Sequence, residues 1–269
     1  TDVETSFQEK RPFFTEGVSI FRFGQGGTNN NWTFNWNSPS LFYSRRIGRT
    51  PQGRVGNYDY ADVPNGTRIL GAGKISGRIG DDWKIGNIHA IARREFAQID
   101  LSGQRSRVEI EPLTYYGVFR AQRDFDTGQQ GLGILSTYTG RFFDDQALRD
   151  YLSSSALVVA ADGWSFLDKD RTYVLTGWAG VSHVRGNEAR MLALQRSSGH
   201  YFQRPDANHL GVDSSTRSLT GYAGRLMLNK QRGQISLNAA IGVMHPRFEA
   251  NDLGYSSYSD RINGHVVAG

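Results

Sequence analysis

Hydrophobic and polar residues alternate with a period of two along much of the chain after Thr67. The alternating segments are roughly 10 to 13 residues long and are separated by clusters of Gly, Asp, Asn and Ser. The clearest one is residues 234–243, where one face carries Ile235, Leu237, Ala239, Ile241 and Val243 and the other carries small or polar residues. Such a pattern predicts antiparallel β structure with one apolar face.

Further strands are predicted at residues 69–79, 83–94, 104–111, 114–124, 130–140, 155–165, 171–184, 188–197, 217–229 and 257–267. Residues 188–197 alternate least well, because Arg190, Leu192, Leu194 and Arg196 share one face. Short polar turns are predicted at Asp81-Asp82, Asp126–Gly128, Asp168–Asp170 and Arg185–Asn187, and a longer loop at residues 199–216.

The charged residues of segment 69–79 constrain how a sheet of this kind would face its surroundings. Lys74 and Arg78 lie on the face opposite Ile75 and Ile79. An Arg or Lys that faces lipid at the bilayer midplane costs about 2–4 kcal/mol, so in a membrane these two cations should point inward.

The composition fits a membrane barrel. Hydrophobic residues make up 38% of the 269 residues, and the chain has 32 Gly, 12 Tyr and 15 Phe. Polar lumen-facing positions and interfacial aromatic residues produce such a balance. The longest apolar run, Ala156–Ala161, is far shorter than the roughly 20 residues of a spanning helix.

Charge and cysteine content exclude several functions. The formal net charge is only +5 and the basic residues are dispersed among acids, so we expect no nucleic-acid partner. The absence of cysteine rules out disulfides, a thiol nucleophile and zinc sites built on thiolates.

Several short motifs resemble a known family. They are Glu9-Lys10-Arg11-Pro12-Phe13-Phe14, Glu16-Gly17, Leu41–Arg49, Arg93-Arg94-Glu95, Glu111-Pro112-Leu113-Thr114, Arg123-Asp124-Phe125 and Asn251-Asp252-Leu253-Gly254. Together they resemble a bacterial domain-of-unknown-function family of large outer-membrane β-barrel proteins that carry an N-terminal domain similar to carbohydrate-binding family 9. The resemblance implies that this chain is part of the barrel region, and it implies no established activity.

The predicted architecture is therefore all-β. We expect an antiparallel transmembrane-type β-barrel of about ten or more strands, incomplete at both ends, in a single domain. Residues 1–66 are predicted to form an N-terminal extended or plug-like segment with the first strands, and residues 67–269 the barrel strands.

Charged residues near the N-terminus are the candidate site. The set is Glu9, Lys10, Arg11, Glu16, Arg45, Arg46 and Arg49. One interpretation is a lumen salt-bridge network that anchors the N-terminal segment, with residues 43–49 pairing with the Glu9 and Glu16 region, because buried charges are usually paired. The other is a ligand contact, with the arginines forming an anion or sugar-acid site, because guanidinium groups bind carboxylates and phosphates bidentately.

Catalytic and metal sites receive little support from the sequence. The carboxylate pairs Glu109 with Glu111 and Asp144 with Asp145 are the candidates for glycoside hydrolysis, but neighbours in sequence are poor evidence for that geometry. A loop site made by His200, Asp206 and His209 is also open. We expect no cofactor, no metal and no catalytic residue.

The strand pattern and the resemblance predict a protein of the bacterial outer membrane, and the resemblance implies that it takes up, binds or handles carbohydrate or another polymer at the surface. Its expected partners are outer-membrane lipid, carbohydrate and other envelope proteins. Two alternatives stay open: an all-β hydrolase acting on glycosidic bonds, and a structural or assembly barrel that docks partner proteins.

Overall fold

The structure is a computed structural model, and it describes residues 7–29 and 40–269. In that part of the chain the fold is all-β with few helical turns. The strands are β1 (Tyr60–Asp62), β2 (Ile69–Ile79), β3 (Trp83–Ala92), β4 (Glu95–Leu101), β5 (Gln104–Glu111), β6 (Leu113–Phe125), β7 (Gln130–Phe142), β8 (Ser155–Phe166), β9 (Tyr173–Arg185), β10 (Ser218–Lys230), β11 (Leu237–Met244) and β12 (Arg261–Ala268).

The helical elements are short. Two α-helices, α1 (Pro12–Thr15) and α2 (Glu188–Arg196), are accompanied by 3-10 turns at Val18–Phe21, Ser44–Arg46, Asp126–Gly128 and Ala147–Asp150. In residues 7–29 and 40–269, no helix is long and apolar enough to cross a membrane.

Nine strands form one antiparallel sheet in the order β12-β11-β10-β9-β8-β7-β6-β3-β2. Each strand therefore lies beside its neighbour in sequence, apart from the β4–β5 hairpin inserted between β3 and β6. That hairpin extends the β3–β6 pair and joins β1 in a separate three-stranded sheet.

The predicted strands agree with the structure at most positions, but the prediction for residues 188–197 was wrong. That segment is α2, in which Met191, Leu194 and Gln195 are buried at helical spacing. Asn187 caps it by accepting a hydrogen bond from the Arg190 amide at 2.9 Å, so residues 185–187 lead into a helix and not into a hairpin turn. Strands β1 and β4 were not predicted.

The large sheet is open in the described residues. Its edge strands β2 and β12 do not pair with each other. The structure thus confirms the all-β class and a large antiparallel sheet, and residues 7–29 and 40–269 form no closed barrel. Of the N-terminal segment predicted as residues 1–66, residues 1–6 and 30–39 lie outside the described residues.

The two faces of the sheet differ in an unusual way. The buried face holds many polar side chains, among them Thr114, Arg120, Thr137, Thr139, Arg141, Asp162, Thr176, Ser182, Asn229 and Asn238. The opposite face exposes large apolar side chains, among them Phe119, Leu132, Ile134, Val159, Val181, Leu226, Ile241, Ile262 and Val266. In β11, the apolar residues that the alternating pattern places on one face therefore lie on the solvent-exposed face of the sheet.

The N-terminal segment covers the polar face of the sheet. Asp162 is bound by Arg120 at 2.6 Å and 3.0 Å and accepts a further hydrogen bond from the Gly24 amide at 2.7 Å. Phe21 and Phe14 from the same segment pack into a core with Ile88 of β3 and other strand residues. The segment therefore packs on the inner face and satisfies part of the hydrogen-bonding capacity of Asp162.

Lys74 shows the inward orientation that the sequence predicts for the cations of β2. Its Nζ donates to the carbonyl oxygen of Glu16 at 2.7 Å and to that of Phe13. Ile75, the next residue, is 78% exposed on the other face.

The connections at the two ends of the sheet differ in length. At one end, residues 80–82, 126–129, 167–172 and 231–236 join consecutive strands by short turns. At the other end the connections are long: the β4–β5 hairpin and residues 143–154, 186–217 and 245–260. We call these the turn end and the loop end.

The close approach of Gly131 to Trp164 yields a stability test. The Trp164 ring lies against Gly26 and Gly27 of the N-terminal segment and against Gly131 of β7, so a Cβ at Gly131 would overlap the ring. Gly131→Ala should lower the free energy of unfolding by about 1–3 kcal/mol, because the ring has no room to retreat. Gly77→Ala in β2 is the matched control, since nothing lies within 4 Å of a Cβ there. Equal effects of the two variants in denaturant titrations would contradict this packing.

Candidate functional site

The N-terminal charges Glu9 and Arg11 form one ion pair, with 2.7 Å between Arg11 Nη2 and Glu9 Oε2. Arg11 also donates to the carbonyl oxygens of Ile47 at 2.6 Å and Ser44 at 2.9 Å. The Ser44 hydroxyl donates to Glu9 Oε2 at 2.6 Å. Pro12, which begins α1, fixes the chain direction directly after this pair. The pair thereby fastens the N-terminal segment to the turn at residues 44–47.

Glu9 is held in its charged form. Burial alone would raise its pKa, but hydrogen bonds from Arg11 and Ser44 outweigh that effect and lower the pKa of Glu9 to about 2. The carboxylate is therefore a permanent acceptor at neutral pH.

Other predicted residues surround this pair more loosely. Arg45 is exposed, donates to the Gln8 carbonyl oxygen at 3.1 Å and stacks over Phe7. Lys10 is exposed, and Glu16 contributes its carbonyl oxygen to Lys74.

Arg46 and Arg49 belong to a second group at the loop end. Arg46 is buried, with its Nε donating to the Gly254 carbonyl oxygen at 3.0 Å. Both arginines line a cavity of about 510 Å³, to which Arg190 of α2 also contributes. The structure thus divides the seven candidate residues into an anchor around Glu9 and Arg11 and a cavity wall that includes Arg46 and Arg49. Contact with a ligand stays a prediction.

Two ion pairs complete the surroundings of this cavity. Arg141 at the end of β7 binds Asp252, and its Nη1 also donates to the Ser153 carbonyl oxygen at 2.9 Å. His200 Nε2 lies 2.8 Å from Glu249 Oε2. Burial lowers the pKa of His200, but the hydrogen bond to Glu249 and its charge outweigh burial and raise that pKa.

Sequence reasoning did not assign Arg141, Arg190 or Glu249 to this site. They come from a strand end, a helix and a loop that only folding brings together. Asp252 carried one signal, because it stands in the motif Asn251-Asp252-Leu253-Gly254.

The carboxylates proposed for hydrolysis are engaged in structural contacts. Glu109 pairs with Arg94 at 2.9 Å and accepts from the amides of Asp144 and Asp145 at 2.9 Å and 2.6 Å. Glu111 accepts from the Gln52 amide at 3.0 Å. Both carboxylates are therefore held by structural hydrogen bonds, and Glu109 also by an ion pair.

The His200, Asp206 and His209 loop does not gather into a metal site. His209 lies 3.0 Å from Asp260, whereas His200 pairs with Glu249. Within residues 7–29 and 40–269, no group of three or more His, Asp or Glu side chains is arranged to hold a metal ion.

Comparison with known families gives the class of this protein. The model of the family described as "Domain of unknown function (DUF5916)" matches residues 1–269. The chain therefore belongs to this family. Comparisons with curated proteins and with solved structures gave no match.

The anchor at Glu9 predicts a pH-dependent contribution to stability. The pKa of Glu9 lies near 2 in the folded protein against an ordinary value of 4.5, so its contribution is complete above about pH 4.5 and declines as the pH falls toward 2. The difference in unfolding free energy between wild type and Glu9→Gln should shrink over that range. Glu188→Gln, which removes an exposed ion pair with Arg217, is the control. A difference that does not change with pH would contradict the anchor.

Proposed function

We propose that this chain forms the lipid-facing wall of a protein in the bacterial outer membrane. In this proposal the exposed apolar face of the sheet contacts lipid, and the polar face surrounds an interior filled by the N-terminal segment. The observation that carries the proposal is the orientation of the two faces. Soluble proteins rarely expose a contiguous apolar face of this extent, whereas membrane barrels place apolar residues outside and polar residues inside.

The exposed face supports this orientation across several strands. Leu132 is 60% exposed, Ile241 61% and Val266 82%, and all three belong to the same face. A polar side chain on that face, His183, is hydrogen-bonded to Thr220 on the neighbouring strand at 2.8 Å. Polar groups in lipid need such internal partners.

The unequal connections at the two ends of the sheet support the proposal as well. Outer-membrane barrels have short turns on the periplasmic side and longer loops on the extracellular side. The turn end would then face the periplasm and the loop end the exterior.

Closure of the barrel is part of the proposal. β2 and β12 each leave a row of backbone groups without a strand partner in the described residues, and an open sheet edge is not tolerated in the hydrocarbon region. The proposal therefore requires that both edges pair with a strand in the membrane.

Binding, uptake or surface handling of carbohydrate or another polymer is the role that we attach to this barrel. It rests on the family resemblance and not on the site geometry. The buried carboxylates favour this role over the hydrolase alternative, because Asp162, Asp252 and Glu109 each pair with an arginine. Docking of other envelope proteins is the remaining alternative.

An arginine placed on the apolar face tests the contact with lipid. Leu226 lies near the middle of β10 and is 49% exposed. In a bilayer, Leu226→Arg should lower the free energy of unfolding by about 2–4 kcal/mol, whereas an exposed site in water should change it by about 0.5 kcal/mol or less. Leu237→Arg, at the beginning of β11 on the same face, is the control and should cost about 0–1 kcal/mol. Similar small effects of both variants, measured by denaturant unfolding in lipid vesicles, would overturn the proposal.

Gel mobility of the extracted protein tests whether the barrel closes. The protein should fractionate with the outer membrane, and boiled and unboiled samples should migrate differently, since a closed hydrogen-bonded barrel resists detergent until it is heated. A soluble protein without a mobility shift would rule out this membrane assignment.

A further inference from the structure

The cavity at the loop end has the size of a small-molecule site. Its volume of about 510 Å³ lies within the roughly 300–1,000 Å³ that ligand pockets occupy. Its walls come from the turn after Ser44–Arg46, from α2 and from the loop at residues 245–260. These elements connect to different strands and to the N-terminal segment, so the cavity exists only in the folded chain.

Arginines dominate the charged groups at this cavity. Arg46, Arg49 and Arg190 line it, and Arg141 lies directly behind Asp252. The Nε of Arg49 is shielded from solvent and has no hydrogen-bond partner, and the same is true of Nε and Nη2 of Arg141 in the described structure. Buried guanidinium donors without acceptors are costly, and of these two arginines Arg49 is the one that lines the cavity and can offer its donor to a ligand.

The acidic groups nearby do not balance these cations. Burial would raise the pKa of Asp252, but Arg141, Arg190 and Arg49 act on this single carboxylate and lower its pKa. Glu249 pairs with His200, and Glu111 acts on Arg49 and Arg141. Asp252 and Glu111 thus face Arg49, Arg141 and Arg190, so the arginines outnumber the carboxylates that act on them.

The titration of Arg49 reflects the same imbalance. Burial and the neighbouring charge of Arg141 lower the pKa of Arg49 to about 10, although Tyr116 and Glu111 act in the opposite direction. When the charged forms of the arginines in a site are destabilised by burial and by one another, a bound anion stabilises those charged forms, and binding is favourable.

We propose that this cavity binds a small molecule through one oxyanion group, a carboxylate or a phosphate, held by Arg49 and Arg190. Planar guanidinium groups bind both kinds of group through paired N–H donors. The serine hydroxyls of Ser197 and Ser198 and the amide of Asn251 at the wall provide partners for a hydroxylated ligand body such as a sugar ring. This inference rests on residues of the cavity and is independent of where the sheet resides.

The first test compares D-glucuronate with D-glucose, because the two share a sugar ring and differ in the carboxylate. We expect D-glucuronate, added to the purified folded protein at constant ionic strength, to raise the melting temperature in a saturable manner, and D-glucose to leave it unchanged. Inorganic phosphate forms a parallel arm that separates a site for phosphate from one for carboxylate. If neither anion has a saturable effect, or if chloride reproduces it, the proposal is wrong.

Substitutions then locate the binding. Arg49→Gln should weaken binding about tenfold or more, because it removes a charge-assisted donor, while Arg49→Lys should retain part of it. Arg217→Gln removes an arginine at the same end of the sheet that is 76% exposed and paired with Glu188, and it should bind like wild type. Equal loss in Arg217→Gln and Arg49→Gln would show a nonspecific charge effect and contradict the site.

A second variant keeps the test valid if Arg49→Gln does not fold. Ser198 lines the cavity and is exposed, so Ser198→Asp adds a carboxylate to the wall without disturbing a buried contact. It should abolish anion binding while leaving the melting temperature without ligand near that of wild type. Unchanged D-glucuronate and phosphate binding in a folded Ser198→Asp protein would overturn the proposal.

Discussion

The buried ion pair between Arg120 and Asp162 is the interaction on which the rest of the structure depends. It lies on the inner face of the sheet, where Arg120 is fully buried, and Asp162 also binds the Gly24 amide. A carboxylate and a guanidinium can be removed from water only if nearly all of their hydrogen-bonding capacity is met. The Gly24 amide supplies one of the hydrogen bonds that Asp162 needs. The sheet and the N-terminal segment therefore depend on each other, because neither alone would satisfy the polar groups on its buried face.

This dependence explains how the molecule is layered. The N-terminal segment provides both the aromatic rings that pack on the inner face and the backbone groups that meet its polar side chains, through Lys74 on β2 and Asp162 on β8. The outer face of the sheet carries exposed apolar residues such as Ile75 and Ile241. In the proposed membrane setting, the exposed apolar face would contact hydrocarbon and the loop end would reach solvent.

The anchor at Glu9 and the arginine cavity are parts of one arrangement. Arg11 and Glu9 hold the carbonyl and hydroxyl groups of the turn at Ser44–Arg46, and the chain leaving that turn carries Arg49 to the cavity wall. Of the two interpretations that the sequence left open, the anchor describes Glu9 and Arg11, and the proposed anion site involves Arg49 from the second motif. The anchor fixes the backbone, and the arginines beyond it face a wall assembled from α2 and the loop at residues 245–260.

The sequence by itself determined most strand positions and which residues share a face, because alternation with period two is a local property that puts Lys74 and Ile75 on opposite faces. It also marked the Glu9–Arg11 and Leu41–Arg49 segments as informative. Only the tertiary structure decided that Glu188–Arg196 is a helix, since the burial of Met191 and Leu194 depends on what packs against them. The tertiary structure also determined where the cavity forms. Arg49, Arg141, Arg190 and Asp252 are distant in sequence, and their contacts depend on how strand ends and long loops meet in space.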